Sequence, residues 1–276
     1  MDLSGARMSA WSPDLPKDPP LTELIIPRRF CGPASSGNGG WTSGALAGLV
    51  EHERPGNRAD AWPAIRVALR QPPPLDIPMA VAEVEGVTAA TLDGAVVAQA
   101  SVADADPTPV EPVPPDEARA AMATYPGLTS HPFPTCFACG TAREEGDGLR
   151  IFPGQVADVD AATRIAATWT PHPSVAEDWH TYVDDVRHAS LAVTWAALDC
   201  VGGWAGDLDE RLMVLGGMTA RVDALPVVGE EHVVVGQFRG QDGRKTFTAS
   251  TLYDSDGRAV ATAEHVWIAV DPANFR

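Results

Sequence analysis

Ser190-Leu-Ala-Val-Thr-Trp-Ala-Ala-Leu-Asp-Cys-Val-Gly-Gly-Trp-Ala205 is the stretch on which the reading of this chain turns. Leu191, Trp195, Leu198 and Val201 recur at three- to four-residue spacing, and Ala192, Ala196 and Ala197 favour helix. The segment reads as a helix over about Val183 to Ala205 with a broad buried face, which Gly202 and Gly203 are expected to end. One carboxylate, Asp199, sits in the middle of this apolar run. Burying an ionised carboxylate costs several kcal/mol unless it is paired or hydrogen-bonded, so a structural or a chemical role is required of it.

The segments on either side are strand-like. Leu149 to Val156 and Thr163 to Trp169 precede the helix; Met213 to Leu225, Glu231 to Arg239, Arg244 to Tyr253 and Val260 to Val270 follow it, with Gln241-Asp242-Gly243 and Asp254-Ser255-Asp256-Gly257 as hairpin loops. The first half has the same order of elements. Leu21 to Phe30 reads as a strand and Trp41 to His52 as a helix, followed by strands at Ala64 to Gln71, Met79 to Leu92 and Ala95 to Ala103. Asp93-Gly94 is the turn between the last two. Gly40, Gly44 and Gly48 lie four apart on one face of the first helix, where they admit another backbone at short range. Three glycines weaken an isolated helix by roughly 1 kcal/mol each, so tight tertiary packing must compensate.

The expected fold is α+β: two tandem units, each an antiparallel sheet curled around one central helix, because a single helix on a sheet has only the concave face in which to bury its apolar side. Pairing the units edge to edge removes two exposed strand edges. The expected spans are a disordered lead-in over 1–20, a first unit over 21–106, a Pro-rich connection over 107–134 with a short helix near Asp116 to Thr124, and a second unit over 135–271.

Two segments carry a family resemblance. Asn38-Gly39-Gly40-Trp41-Thr42-Ser43-Gly44 resembles the His-Gly-Gly helix start of phenylacetyl-CoA-type thioesterases, with Asn38 at the histidine position. The family's carboxylate follows nine residues later, where this chain has Ala47. In the second half Asp199 stands nine residues after Ser190, but Ala189, Ser190 and Leu191 do not match His-Gly-Gly. The chain therefore resembles the double-hotdog members of the hotdog-fold thioesterase superfamily, with the glycines kept by one half and the acid by the other. The resemblance implies one composite site per chain and an acyl-CoA or other acyl thioester as substrate, with no cofactor. The Asp, Thr and Gln set of acyl-CoA thioesterase II is not carried over, since Met218 and His265 fall near its Asp and Gln.

Thioester hydrolysis requires a polarised carbonyl and an activated attacking group. On this reading the catalytic residues are Asp199 as base or nucleophile, Gly40 as amide donor at the helix start, and Asn38 as orienting group or cap; Gly39, Trp41, Thr194, Ser190 and Trp195 are the expected substrate-binding residues. Each has a plainer alternative. Asn38 is a preferred helix cap in any protein, and Asp199 can pair with an arginine or tie down a loop. Cys136-Phe137-Ala138-Cys139-Gly140 resembles half of a zinc knuckle, but no second pair is in sequence, so it reads as a tight turn with buried thiols and no metal is expected. His188, Asp184 and Asp185 stand where a helix N-terminus favours negative charge.

A formal net charge of −17 argues against nucleic acid and anionic membrane surfaces as partners. A CoA ester then needs local cations, for which Arg28, Arg29, Arg66, Arg70, Arg221, Arg244 and Lys245 are available. No apolar run reaches eighteen residues, and Met1 to Pro20 lacks the pattern of a signal peptide, so a cytoplasmic protein with free thiols is expected, with self-association into a homo-oligomer compatible with the sequence. A non-catalytic hotdog protein that holds an acyl or aromatic ligand is the alternative to a hydrolase.

Overall fold

A computed structural model describes residues 22–52, 63–177 and 185–274. The lead-in over 1–20 lies outside the described residues, as do Val183 and Asp184 at the start of the expected second helix; that helix begins only at Leu191, because His188–Ala189 pair as a strand and Ser190 caps the helix. The first half comprises strand β1 (Thr22–Leu24), helix α1 (Gly39–Ala47), β2 (Ile65–Leu69), β3 (Met79–Val84), β4 (Val87–Leu92) and β5 (Ala95–Val102). Helix α2 (Pro115–Ala121) lies in the connection. The second half comprises β6 (Gly154–Val159), β7 (Ala162–Trp169), the short β8 (Ala176–Glu177) and β9 (His188–Ala189), helix α3 (Leu191–Ala205), β10 (Met213–Val222), β11 (His232–Asp242), β12 (Lys245–Tyr253) and β13 (Ala259–Ala269).

Eleven strands form one antiparallel sheet in the order β1-β3-β4-β5-β2-β10-β13-β12-β11-β7-β6. Outward from the centre, both halves run in the same sequence: the strand after the helix, then the last, middle and first strands of the following meander, then the strand before the helix. β6 is an addition to the second half. The halves join where β2 pairs with β10, with Val67 opposite Met218. This is the edge-to-edge pairing that removes an exposed strand edge from each half.

Helix α3 is buried from Val193 to Ala205 and rests on β7 and β10 to β13, while α1 rests on β2, β4, β5 and β10. The two helices are antiparallel neighbours: a methyl group on Gly40 would meet Asp199 and Ala196, one on Gly44 would meet Ala192 and Trp195, and one on Gly48 would approach Leu191. Glycine spacing along α1 thus sets how closely the helices pack.

Several boundaries differ from the expectations for local reasons. Gly202 and Gly203 do not end α3. They lie inside it because Cβ atoms there would stand 2.7 Å from the His265 ring and 2.9 Å from the Trp267 ring, so the glycines let the helix sit down on β13. The stretch from Met79 to Leu92 is two strands, turned at Glu85-Gly86 with φ of 53° and 78°. Glu-Gly is a weaker turn signal than Asp-Gly, although Gly86 supplies the same left-handed backbone that Gly94 supplies in the next hairpin. Of the strand expected over Leu21 to Phe30, the described residues from Thr22 hold a three-residue strand, followed by a 3-10 turn over Arg28–Phe30.

The Pro-rich connection is packed rather than loose. Val110, Val113, Ala118 and Ala121 bury against Val156, Ala166, Val233, Val235, Ala249 and Tyr253 on the outer face of the second half. Val234 points the other way, into the core beneath α3. This explains why β11 opens on the unbroken run Val233-Val234-Val235: both of its faces are covered.

Candidate functional site

The site is built where the N-terminus of α1 meets the middle of α3. Asn38 caps α1: its backbone is extended, its Oδ1 accepts from the Trp41 amide at 2.8 Å, and its carbonyl accepts from the Thr42 amide at 3.0 Å. The same side chain reaches across the helix pair, donating from Nδ2 to Asp199 Oδ2 at 3.0 Å. Gly40 donates its amide to that same oxygen at 2.8 Å. A Cβ at Gly40 would lie 2.4 Å from Asp199 Cβ and 2.7 Å from the Trp195 carbonyl, so only glycine lets this amide approach the carboxylate.

Asp199 is 2 % exposed, and its other oxygen, Oδ1, has no hydrogen-bond partner among the described residues. Burial pushes its pKa up to about 7 against an ordinary value of 3.8, with the Gly40 and Asn38 donors acting in the opposite direction and the neighbouring Cys136 thiol adding to the rise. The carboxyl therefore exchanges its proton near neutrality, as a general base requires.

A cavity of about 240 Å³ opens beside it, lined among others by Gly37, Asn38, Gly39, Asp199, Leu215 and Arg70. Its walls come from the loop before α1, the end of β2, β10 and the turn over residues 136–139, so it lies on the seam between the halves. The volume is below the roughly 300–1,000 Å³ of pockets that enclose a whole drug-sized ligand, so a molecule of that size would extend out of it.

The residues singled out by sequence fall into two groups. Asn38, Gly40 and Asp199 are in mutual contact, and Gly39 lines the cavity. Gly40, expected to offer its amide to an oxyanion, instead spends it on Asp199. The amide at this helix start without a hydrogen bond among the described residues is that of Gly39. Trp41, Ser190, Thr194 and Trp195 are absent from the cavity wall and have structural employment. Trp41 stacks on Phe30 with ring centres 4.3 Å apart, Ser190 caps α3 through the Val193 amide, Thr194 donates to the Ser190 carbonyl, and Trp195 packs on Gly44. His188 pairs with Glu177 as part of β9, outside the cavity lining. Of the available cations, Arg28 pairs with Asp76 and Arg221 with Asp106 and Asp223, while Arg29 holds Gly146 and Ser174. Arg70 stands on the cavity wall.

Three residues were not expected at the site. Cys136, Cys139 and Cys200 all line the cavity, and Asn38 Nδ2 lies 3.7 Å from Cys136 Sγ and 3.8 Å from Cys200 Sγ. The Cys139 and Cys200 thiols hold Cys136 well below the ordinary thiol range, and Cys136 in turn pushes Cys200 up. The available signal was adjacency: Cys200 follows Asp199 directly, so any site built on the acid includes that thiol.

No family model matches the chain, and no curated protein matches its sequence. Solved structures do match in shape. A protein of Novosphingobium aromaticivorans provisionally assigned as a thioesterase superposes with a TM-score of 0.57 at 14 % identity, covering 90 % of this chain and 95 % of that one. A conserved protein of unknown function with a hot dog fold from Alicyclobacillus acidocaldarius gives 0.53 at 15 %, covering 91 % and 92 %. The tesB protein of Mycobacterium avium subs paratuberculosis gives 0.52 at 12 %, covering 87 % and 89 %. At these identities the likeness is one of fold, and the fold is the hotdog fold.

Proposed function

We propose that this hotdog-fold chain is a double hotdog, with units over 21–106 and 135–271, and that it hydrolyses acyl-CoA or a related acyl thioester at one composite site on the seam between them. The observation that carries the reading is Asp199: a carboxyl from α3, buried and near-neutral in pKa, is held by the amide start of α1 with one oxygen unpartnered, on the wall of a cavity. The matching strand order of the halves and the thioesterase assignments among proteins of like shape support it. The four free cysteines suit a cytoplasmic setting.

In the proposed reaction Asp199 accepts a proton from water as the water oxygen bonds to the thioester carbonyl carbon. The developing oxyanion takes the Gly39 amide, which carries the positive end of the α1 dipole. The tetrahedral intermediate collapses, the carbon–sulfur bond breaks, and Asp199 returns its proton to the departing thiolate, leaving carboxylic acid and thiol. Gly40 and Asn38 act by fixing Asp199 Oδ2 so that Oδ1 is the reacting oxygen. Arg70 on the cavity wall is the cation positioned to meet an anionic carrier.

One observation favours a second reading. Asp199 already accepts from both Gly40 and Asn38, which is also what a purely structural tie between two helices shows, so a non-catalytic protein holding an acyl or aromatic ligand is the competing function. The two separate on a panel of short, long and aromatic acyl-CoAs, with thiol release and equilibrium binding measured on the same preparation. Turnover of at least one ester supports the hydrolase, whereas binding across the panel without thiol release establishes the binding protein.

A further inference from the structure

The turn over residues 136–140 and helix α3 bring three thiols together in the core. The Sγ atoms of Cys136, Cys139 and Cys200 all lie within 4.8 Å of one another, with Cys136 and Cys200 at 3.5 Å. That distance is far beyond a disulfide bond, which is about 2.05 Å. It is close to the spacing of sulfurs around a tetrahedral zinc ion, about 3.8 Å for zinc–sulfur bonds of about 2.3 Å. In sequence Cys136 and Cys139 make only half of a zinc site; folding supplies the third ligand from a helix sixty residues away.

Asn38 directs its Nδ2 group at Cys136 and Cys200. The Trp204 indole N–H, beside Cys139, is buried with no hydrogen-bond partner among the described residues. Hydrogen-bond donors around ligating thiolates orient them and tune a bound metal. The turn itself is held rigidly: the Gly140 amide donates to the Cys136 carbonyl at 2.9 Å, Phe137 N–H to Cys31 at 2.7 Å and Ile151 N–H to Ala138 at 3.0 Å. A side chain at Gly140 would strike the Cys136 backbone at 2.4 Å.

We propose that Cys136, Cys139 and Cys200 form a three-thiolate binding site for zinc(II), with the fourth coordination position open to the cavity beside Asp199. Sulfur ligands exclude magnesium and calcium, and three protein ligands with one open position are the pattern of zinc sites that work on a ligand rather than only brace a fold. The fourth ligand then comes from the cavity, as a water or as the sulfur of a bound thiol. Cys31 is no part of the site; its thiol contacts the Thr135 carbonyl and Arg143.

The full chain, purified with a thiol-free reductant and no chelator, is analysed for zinc by mass spectrometry and then reloaded with cobalt(II) alone. About one zinc per chain is expected, with a thiolate-to-cobalt charge-transfer band and the intense visible bands of a four-coordinate ion. Cys31→Ser keeps both, whereas Cys139→Ser and Cys200→Ser retain at least about tenfold less metal after the same dialysis. The wild-type cobalt spectrum reports thiolate ligation by itself, so a serine variant that fails to fold leaves the test standing. Wild-type protein that takes up neither metal, loss of metal from Cys31→Ser equal to that from Cys200→Ser, or a Cys136–Cys200 disulfide in metal-free protein would each overturn the proposal. None of these readings depends on esterase activity.

Discussion

Replacing Asp199 with Asn should make the protein more stable, and by an amount that depends on pH. The amide keeps the size of the side chain, and its oxygen can accept from Gly40 and Asn38 as Oδ2 does. What it removes is the cost of ionising a carboxyl in the core. The folded-state pKa of Asp199 is raised to about 7 from 3.8. Between these values the folded state holds a proton that the unfolded chain has lost, so the stability this group contributes is full below about pH 3.8 and is lost as pH rises through 7. The slope is about 1.4 kcal/mol per pH unit, so between pH 5 and pH 8 the advantage of Asp199→Asn over wild type should grow by roughly 3 kcal/mol and then level off. Urea unfolding of both proteins, stripped of metal, at pH 5, 6, 7 and 8 measures this difference directly. A constant difference would mean that Asp199 has an ordinary pKa in the fold, and the argument for a base poised near neutrality would fail with it.

Gly40→Ala puts a methyl group 2.4 Å from Asp199 Cβ and 2.7 Å from the Trp195 carbonyl, so it should cost about 3 kcal/mol or more, whereas Gly48→Ala, with its nearest neighbour at 3.5 Å, should be neutral or stabilising by about 0.5 kcal/mol; melting of the pair tests the close approach of the helices. Asn38→Ala removes the α1 cap, worth about 1 kcal/mol, and one of the two donors that lower the Asp199 pKa. The acid limb of its pH–rate profile should therefore move to higher pH, and an unmoved limb would deny the contact. His265 is buried, with burial lowering its pKa to about 4 from 6.5, so its contribution to stability is present above pH 6.5 and is lost as pH falls through 4, by roughly 3 kcal/mol in all. His265→Gln should flatten that loss in acid unfolding curves; parallel curves for the two proteins would refute it.

The order of helices and strands was legible because the chain repeats it, and the glycine ladder from Gly40 to Gly48 announced a backbone neighbour that turned out to be α3. The meeting of Asn38 and Gly40 with Asp199 was legible only through the split motif, since the residues are 161 and 159 positions apart and no local pattern joins them. Trp41, Ser190, Thr194 and Trp195, expected to bind substrate, stand off the cavity wall for a physical reason. A residue near the acid in sequence need not face the cavity, and on α3 the turn before Asp199 is occupied in packing against α1. Gly202 and Gly203 misled in the same way, because glycine ends a helix in an open setting but admits a neighbouring sheet in a crowded one. Of the thiol cluster, Cys136 and Cys139 were legible as half of a site, whereas Cys200 joins them only through tertiary packing.

The rate of thiol release by Asp199→Asn, set against wild type on the best ester of the panel and with binding of that ester measured for both, bears most directly on the composite site. Loss of a general base should lower kcat by 10²–10⁴-fold, roughly, while affinity changes little. Equal rates in the two proteins would contradict the account, because the one carboxyl that the two halves jointly hold would then take no part in the chemistry.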